Sequence, residues 1–151
     1  MEAAEKRVLV VEDDDSIRTL LATLLRRRGL HVDTARDGGE ALERVRSSRY
    51  GIILLDMMMP RVNGEGVLSE LALLPEAARP VVIVLTAGPE PRNLDSNLVA
   101  GLLRKPFDIQ MLVDTVGACL VTMMQRAQRQ PGEPSTTDGN PVAPPNLPKP
   151  N

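Results

Sequence analysis

Aromatic residues are almost missing: there is no tryptophan, Tyr50 is the only tyrosine and Phe107 the only phenylalanine. Leucine, valine, isoleucine and methionine must therefore fill any core, and methionine adapts to irregular gaps. Cysteine is as scarce. With Cys119 alone no intrachain disulfide can form, and its apolar neighbours read as the setting of an ordinary buried thiol. Neither sign of charge is in large excess: the formal net charge is -2 and the pI about 5.5, so no nucleic-acid or membrane partner is expected, and Arg26 to Arg28 form only a local cluster. No apolar run is long enough to cross a bilayer. The short one in MEAAEKRVLVVEDDD runs straight into acids, unlike a signal peptide, which leaves a cytoplasmic protein as the expectation. His31 has no second ligand spaced near it and is assigned no role.

What is present suffices for one compact domain, because 151 residues at 42% hydrophobic can bury a real core. Arg7 to Val11 is a β-branched strand ended by acids, after which Ile17, Leu20, Leu21, Leu24 and Leu25 recur at helical spacing. Asp14 or Asp15 can cap that helix, and Gly29 suits its end. The pattern repeats: strand His31 to Ala35, helix Gly38 to Ser48, strand Gly51 to Leu55, helix Gly64 to Leu74 stopped by Pro75, strand Val81 to Leu85. A short fifth strand is expected at Leu102 to Arg104 and a final helix from Asp108 to about Gln128. Short alternating connections imply right-handed crossovers, hence an α/β fold: a doubly wound, five-stranded parallel sheet with helices on both faces. The domain is expected to occupy residues 1–128. Residues 129–151, rich in proline, glycine, asparagine, serine and threonine, cannot bury enough apolar surface to offset the entropy of ordering and are expected to form a disordered tail.

In such sheets functional groups gather beyond the C-terminal strand ends, where the strand order reverses. Glu12, Asp13 and Asp14 follow the first strand, Asp56 ends the third, Thr86 ends the fourth and Lys105 follows the fifth. Carboxylates brought this close repel one another and hold protons unless a cation compensates them. Mg2+ prefers oxygen ligands and takes one or two carboxylates plus a phosphate oxygen. A carboxylate beside it can attack a phosphoryl donor while a lysine and a hydroxyl balance the charge on the transferring group.

At these residues the sequence resembles the receiver domains of two-component response regulators. VLVVEDDDSIR is similar to that family's first strand and acidic loop, LLDMMMPRVNG to its phosphoacceptor strand and loop, VIVLTA to its fourth strand and LLRKPF to its fifth strand and Lys-Pro turn. The likeness runs from about Lys6 to Met124. It implies a flavodoxin-like receiver fold, with Asp56 as phosphoacceptor and Mg2+ as cofactor. By the same resemblance Asp13 would be a direct metal ligand alongside Asp56, Glu12 a ligand through water and the Met58 carbonyl a further ligand. Thr86 would bond a phosphoryl oxygen, Ala87 would leave room for access, and Lys105 would pair with Asp56 and then with the phosphoryl group. Pro106 would follow a cis bond. The implied partners are a sensor histidine kinase or phosphotransfer protein and a downstream protein of unknown identity, in a phosphorelay rather than an enzyme acting on a metabolite.

Two departures from that pattern bear on signalling. The family's switch pairs the threonine with an aromatic three residues before the lysine, a position held here by Leu102. The segment between Thr86 and Lys105 is short and contains Pro89 and Pro91, so the helix between the fourth and fifth strands is expected to start late and be short. Output is therefore expected through reordering of residues 87–101 rather than aromatic rotation. Met58 offers no side-chain group to orient a hydrolytic water, which predicts slow loss of phosphate. Two other readings compete: a phosphorylation-independent interaction module of receiver shape, and an aspartate-nucleophile phosphohydrolase using Asp13 and Asp15, which lacks room for a cap. A homodimer through the apolar residues of the final helix, Cys119 to Met124 among them, is left open.

Overall fold

Each central strand sends alternate side chains into two different apolar layers, and that alternation builds the molecule. A computed structural model describes residues 7–58, 64–87, 94 and 97–127. In chain order the elements are β1 (Arg7–Val11), α1 (Asp15–Arg27), β2 (His31–Ala35), α2 (Gly38–Ser47), β3 (Ile52–Asp56), α3 (Gly64–Ala72), a 3-10 turn (Glu76–Ala78), β4 (Val81–Thr86), β5 (Val99–Arg104) and α4 (Ile109–Ala127). All strand pairings are parallel, in the order β2-β1-β3-β4-β5.

Leu9, Val11, Ile53, Leu55, Val82 and Val84 face one layer, closed by Val67, Leu68 and Leu71 of α3 and Ala41 of α2. Val8, Val10, Ile52, Leu54, Ile83 and Leu85 face the other, closed by Leu21 and Leu25 of α1 and by Leu112, Val116 and Leu120 of α4. Strands sandwiched this way have no polar face, which is why β3 reads IILLD and β4 VVIVLT without alternation. Tyr50 is the one aromatic in the buried core; its hydroxyl donates to Asp33 Oδ2 at 2.6 Å, tying the α2–β3 connection to edge strand β2.

The helix ends follow from local chemistry. Asp14 caps α1, its Oδ1 accepting from the Ile17 N–H at 3.0 Å, and Asp37 caps α2 by accepting from Glu40 N–H at 2.9 Å. Gly29 follows α1 at φ +86, a conformation that costs little without a Cβ. Among the described residues no helix is long and apolar enough to cross a membrane.

One sequence expectation needs correction. The fifth strand begins at Val99, not Leu102, and pairs with β4 through an irregularity between Val82 and Ile83. Gly101 and the half-exposed pattern of this edge strand had hidden its first half. In the final helix Leu120 is buried and Cys119 and Met123 pack against the α1–α4 layer, while Met111 and Val121 are exposed. The expected short helix falls largely on residues 88–93 and 95–96, and the expected tail on residues 129–151, which lie outside the described residues.

Candidate functional site

Strand order reverses between β1 and β3, and there the acids collect. Glu12 immediately follows β1 with the same parity as Val8 and Val10, and Asp56 ends β3 with the parity of Ile52 and Leu54, so the two carboxyls share one side of the sheet edge. Carboxylate oxygens of Glu12, Asp13 and Asp56 lie within 4.8 Å of one another. Glu12 and Asp56 are buried and Asp13 is exposed.

Lys105 enters from the far side. Its Nζ donates to Asp56 Oδ2 at 3.2 Å and to Glu12 Oε2 at 3.1 Å. The ammonium is also 2.9 Å from Glu12 Oε1, an ion-pair contact without hydrogen-bond geometry, so this buried oxygen has no hydrogen-bond partner. Lys105 N–H donates to the Thr86 carbonyl at 2.7 Å, and a cis bond joins Lys105 to Pro106. Backbone amides complete the set: Met58 N–H bonds Asp56 Oδ1 at 2.9 Å and Asp14 N–H bonds Glu12 Oε2 at 3.1 Å.

The electrostatics follow from two buried acids, one exposed acid and one partly buried base held close together. Burial pushes Glu12 up to about 7, against the bonds it accepts from Lys105 and Asp14. Burial also raises Asp56, against the Met58 amide and Lys105. For Asp13 burial works upward too, but bonds from the carboxyls of Asp56 and Glu12 outweigh it and its value falls. Lys105 loses to burial and gains more from Glu12 and Asp56, ending above the usual lysine value. With all four ionised the cluster carries an excess of two negative charges, a state that calls for a further cation. A hard divalent ion fits: the donors are carboxylate oxygens, and the Glu12 Oε1 atom is buried without a hydrogen bond.

The other expected residues take distinct places. Thr86 is buried at the end of β4, one strand over from Asp56, whose register partner is Leu85. Met58 is 62% exposed just beyond Asp56. Leu102 is not in the cluster; it pairs with Val84 in the middle of β5 and packs into the α2–α3 layer. Arg18 escaped the sequence reading: it reaches back from α1 to donate to the Glu12 carbonyl at 2.9 Å and pairs with Asp15. Its spacing of six from Glu12 matches no motif. Gly64, expected from sequence as the first residue of its helix, has a steric duty as well. A Cβ there would lie 2.8 Å from Met57 Cα and overlap the Met57 sulfur, so only glycine lets α3 start against the loop that follows Asp56.

Residues 8–117 match the family described as the response regulator receiver domain. The chain belongs to that family. As a receiver domain of two-component signalling it is similar to the protein Rrf1 of Nitratidesulfovibrio vulgaris, 34% identical over 131 residues that cover 87% of this chain and 92% of the relative. It is also similar to the CpxR homologue, a transcriptional regulatory protein of Haemophilus influenzae, 37% identical over 76% of this chain and 50% of the relative. The receiver thus spans about half the length of several curated relatives that it matches. Among solved structures, the Francisella response regulator 1452 receiver domain superimposes with a TM-score of 0.67 at 29% identity, covering 78% of this chain and 98% of that one. The response regulator TrrA of Thermotoga maritima, solved in complex with Mg(2+)-BeF, gives a TM-score of 0.64 at 34% identity, covering 75% and 97%.

Proposed function

We propose that Asp56 accepts a phosphoryl group from a phosphohistidine of a sensor histidine kinase or a phosphotransfer protein. The observation that carries this reading is the convergence of Glu12, Asp13, Asp56 and Lys105 in the crevice between β1 and β3. An Asp56 oxygen forms the new P–O bond as the donor's P–N bond breaks and its electron pair leaves with the imidazole. Lys105, already 3.2 Å from Asp56 Oδ2, moves its charge onto a phosphoryl oxygen, and the Thr86 hydroxyl donates to another. Magnesium, held by Asp13, Asp56 and the Met58 carbonyl and reached by Glu12 through water, would supply further charge compensation at the transferring group. The likeness to TrrA, solved with Mg(2+)-BeF, supports that assignment.

Met58 presents no side-chain donor or acid to a water approaching the phosphoryl group, so the acyl phosphate decays slowly; Met58→Asn is expected to hasten decay. The receiver occupies residues 1–128. Its output is a changed affinity for a protein partner or onward transfer of phosphate, with Thr86 and Leu102 as the switch positions. Incubating the chain with acetyl phosphate and Mg2+ tests the proposal. A mass gain of one phosphoryl group that requires Mg2+ supports it, whereas no gain from any donor favours a phosphorylation-independent binding module.

A further inference from the structure

At the opposite end of the sheet a cavity of about 330 Å3 opens where the C-terminal ends of α2 and α3 approach the starts of β3 and β4. Ile53 and Leu71 form its buried wall, and Leu74 and Ala78 its partly open sides. Arg46 and Arg49 stand among its lining, which contains no acidic residue. Arg46 is already spoken for, since it pairs with Glu70 at 2.9 Å. Arg49 is exposed and, among the described residues, makes no hydrogen bond or ion pair. Tyr50 turns its hydroxyl to Asp33 and so offers the cavity its ring rather than a competing polar group.

We propose that this cavity is a binding site for a small amphipathic organic anion, its apolar body against Ile53, Leu71 and Leu74 and its acidic head on Arg49. The volume is at the lower end of that of small-molecule sites, which combine apolar walls with a few placed polar groups. An arginine fork matches the two oxygens of a carboxylate. A neutral apolar ligand would leave the guanidinium unused, and a bare inorganic anion would leave the apolar walls in water. The site is independent of Asp56, which lies at the other end of β3.

The test is a titration of the full chain with octanoate, with octanol as uncharged control, followed by amide shifts in nuclear magnetic resonance. Octanoate is expected to shift residues 45–53 and 71–80, to bind Asp56→Asn as it binds the unaltered chain, and to bind Arg49→Gln about tenfold more weakly, the loss of a charge pairing at an exposed guanidinium. Ala78→Leu, which narrows the cavity, should weaken binding while leaving the rest of the spectrum in place. Because Arg49 is exposed and unpaired, Arg49→Gln should keep the fold, so its affinity is a clean reading. No octanoate binding, shifts centred elsewhere, equal affinity for octanol, or an unchanged affinity in Arg49→Gln would each overturn the proposal.

Discussion

The two ends of one parallel sheet have opposite chemistry. At the C-terminal end Glu12, Asp13 and Asp56 crowd around one lysine. At the N-terminal end arginines predominate, and most serve local structure. Arg79 donates to the carbonyls of Ala72, the last residue of α3, and of Leu74 just beyond it, both at 3.0 Å, and Arg44 and Arg46 sit in the last turn of α2. Basic groups suit helix C-termini, where free carbonyls and the aligned peptide dipoles favour positive charge. The arginine end thus follows from stabilising the fold. The acid end works against folding, since it buries carboxyls whose ionisation is disfavoured. A group of acids that costs stability and is placed where strand order reverses is the mark of a site kept for its chemistry.

That contrast can be broken most severely at Lys105. Lys105→Ala is expected to slow phosphorylation by acetyl phosphate about 100-fold, the usual cost of removing one charge-stabilising donor at a reacting oxygen. Loss of an order of magnitude or less would mean that the lysine only holds the acids in place.

The pH dependence of stability comes next. The folded Glu12 carboxyl has a value near 7 against 4.5 when unfolded, so between these values the folded state binds more protons. The stabilisation is complete below pH 4.5 and is lost as pH rises through 7, and the raised value of Asp56 acts in the same direction. Without Mg2+ the chain should therefore unfold more readily at pH 8 than at pH 5, by an amount on the order of a few kcal/mol. Added Mg2+ should recover much of this at pH 8 and little at pH 5. Denaturant melts across that range check both signs; Asp56→Asn should flatten the curve.

Smaller effects separate packing from charge. Gly64→Ala forces a methyl onto Met57 and is expected to cost about 1–3 kcal/mol in a chemical melt while also slowing phosphorylation, because the displaced loop carries the Met58 amide that bonds Asp56. At the arginine end, Tyr50→Phe removes the hydroxyl that bonds Asp33 and is expected to cost about 1 kcal/mol with no change in phosphorylation rate. A rate change in Tyr50→Phe would mean that the two ends are coupled more tightly than separate chemistry requires.

Much of this could be read in the sequence because the physics was local. Continuous apolar runs marked β1, β3 and β4, and their terminal acids and threonine marked the sheet edge. Asp14 rather than Asp15 as the cap of α1 needed geometry, since either side chain was within reach. The start of β5 was illegible because an edge strand containing glycine shows no continuous apolar run, and the irregular pairing at Val82 and Ile83 shifts its register. Arg18 was illegible for another reason: a long side chain bonding a backbone carbonyl leaves no trace in residue spacing. The arginine-lined cavity, too, arises only when two helix ends and two strand starts meet.

Phosphorylation at Asp56 is tested most directly by mapping the modified residue. After incubation with acetyl phosphate and Mg2+, reductive trapping with borohydride converts an aspartyl phosphate to homoserine, which peptide mass spectrometry locates. The expected result is homoserine at position 56 alone, absent without Mg2+ and absent in Asp56→Asn. Homoserine at position 13, or an Asp56→Asn chain that takes up phosphate as fully as the unaltered one, would contradict it.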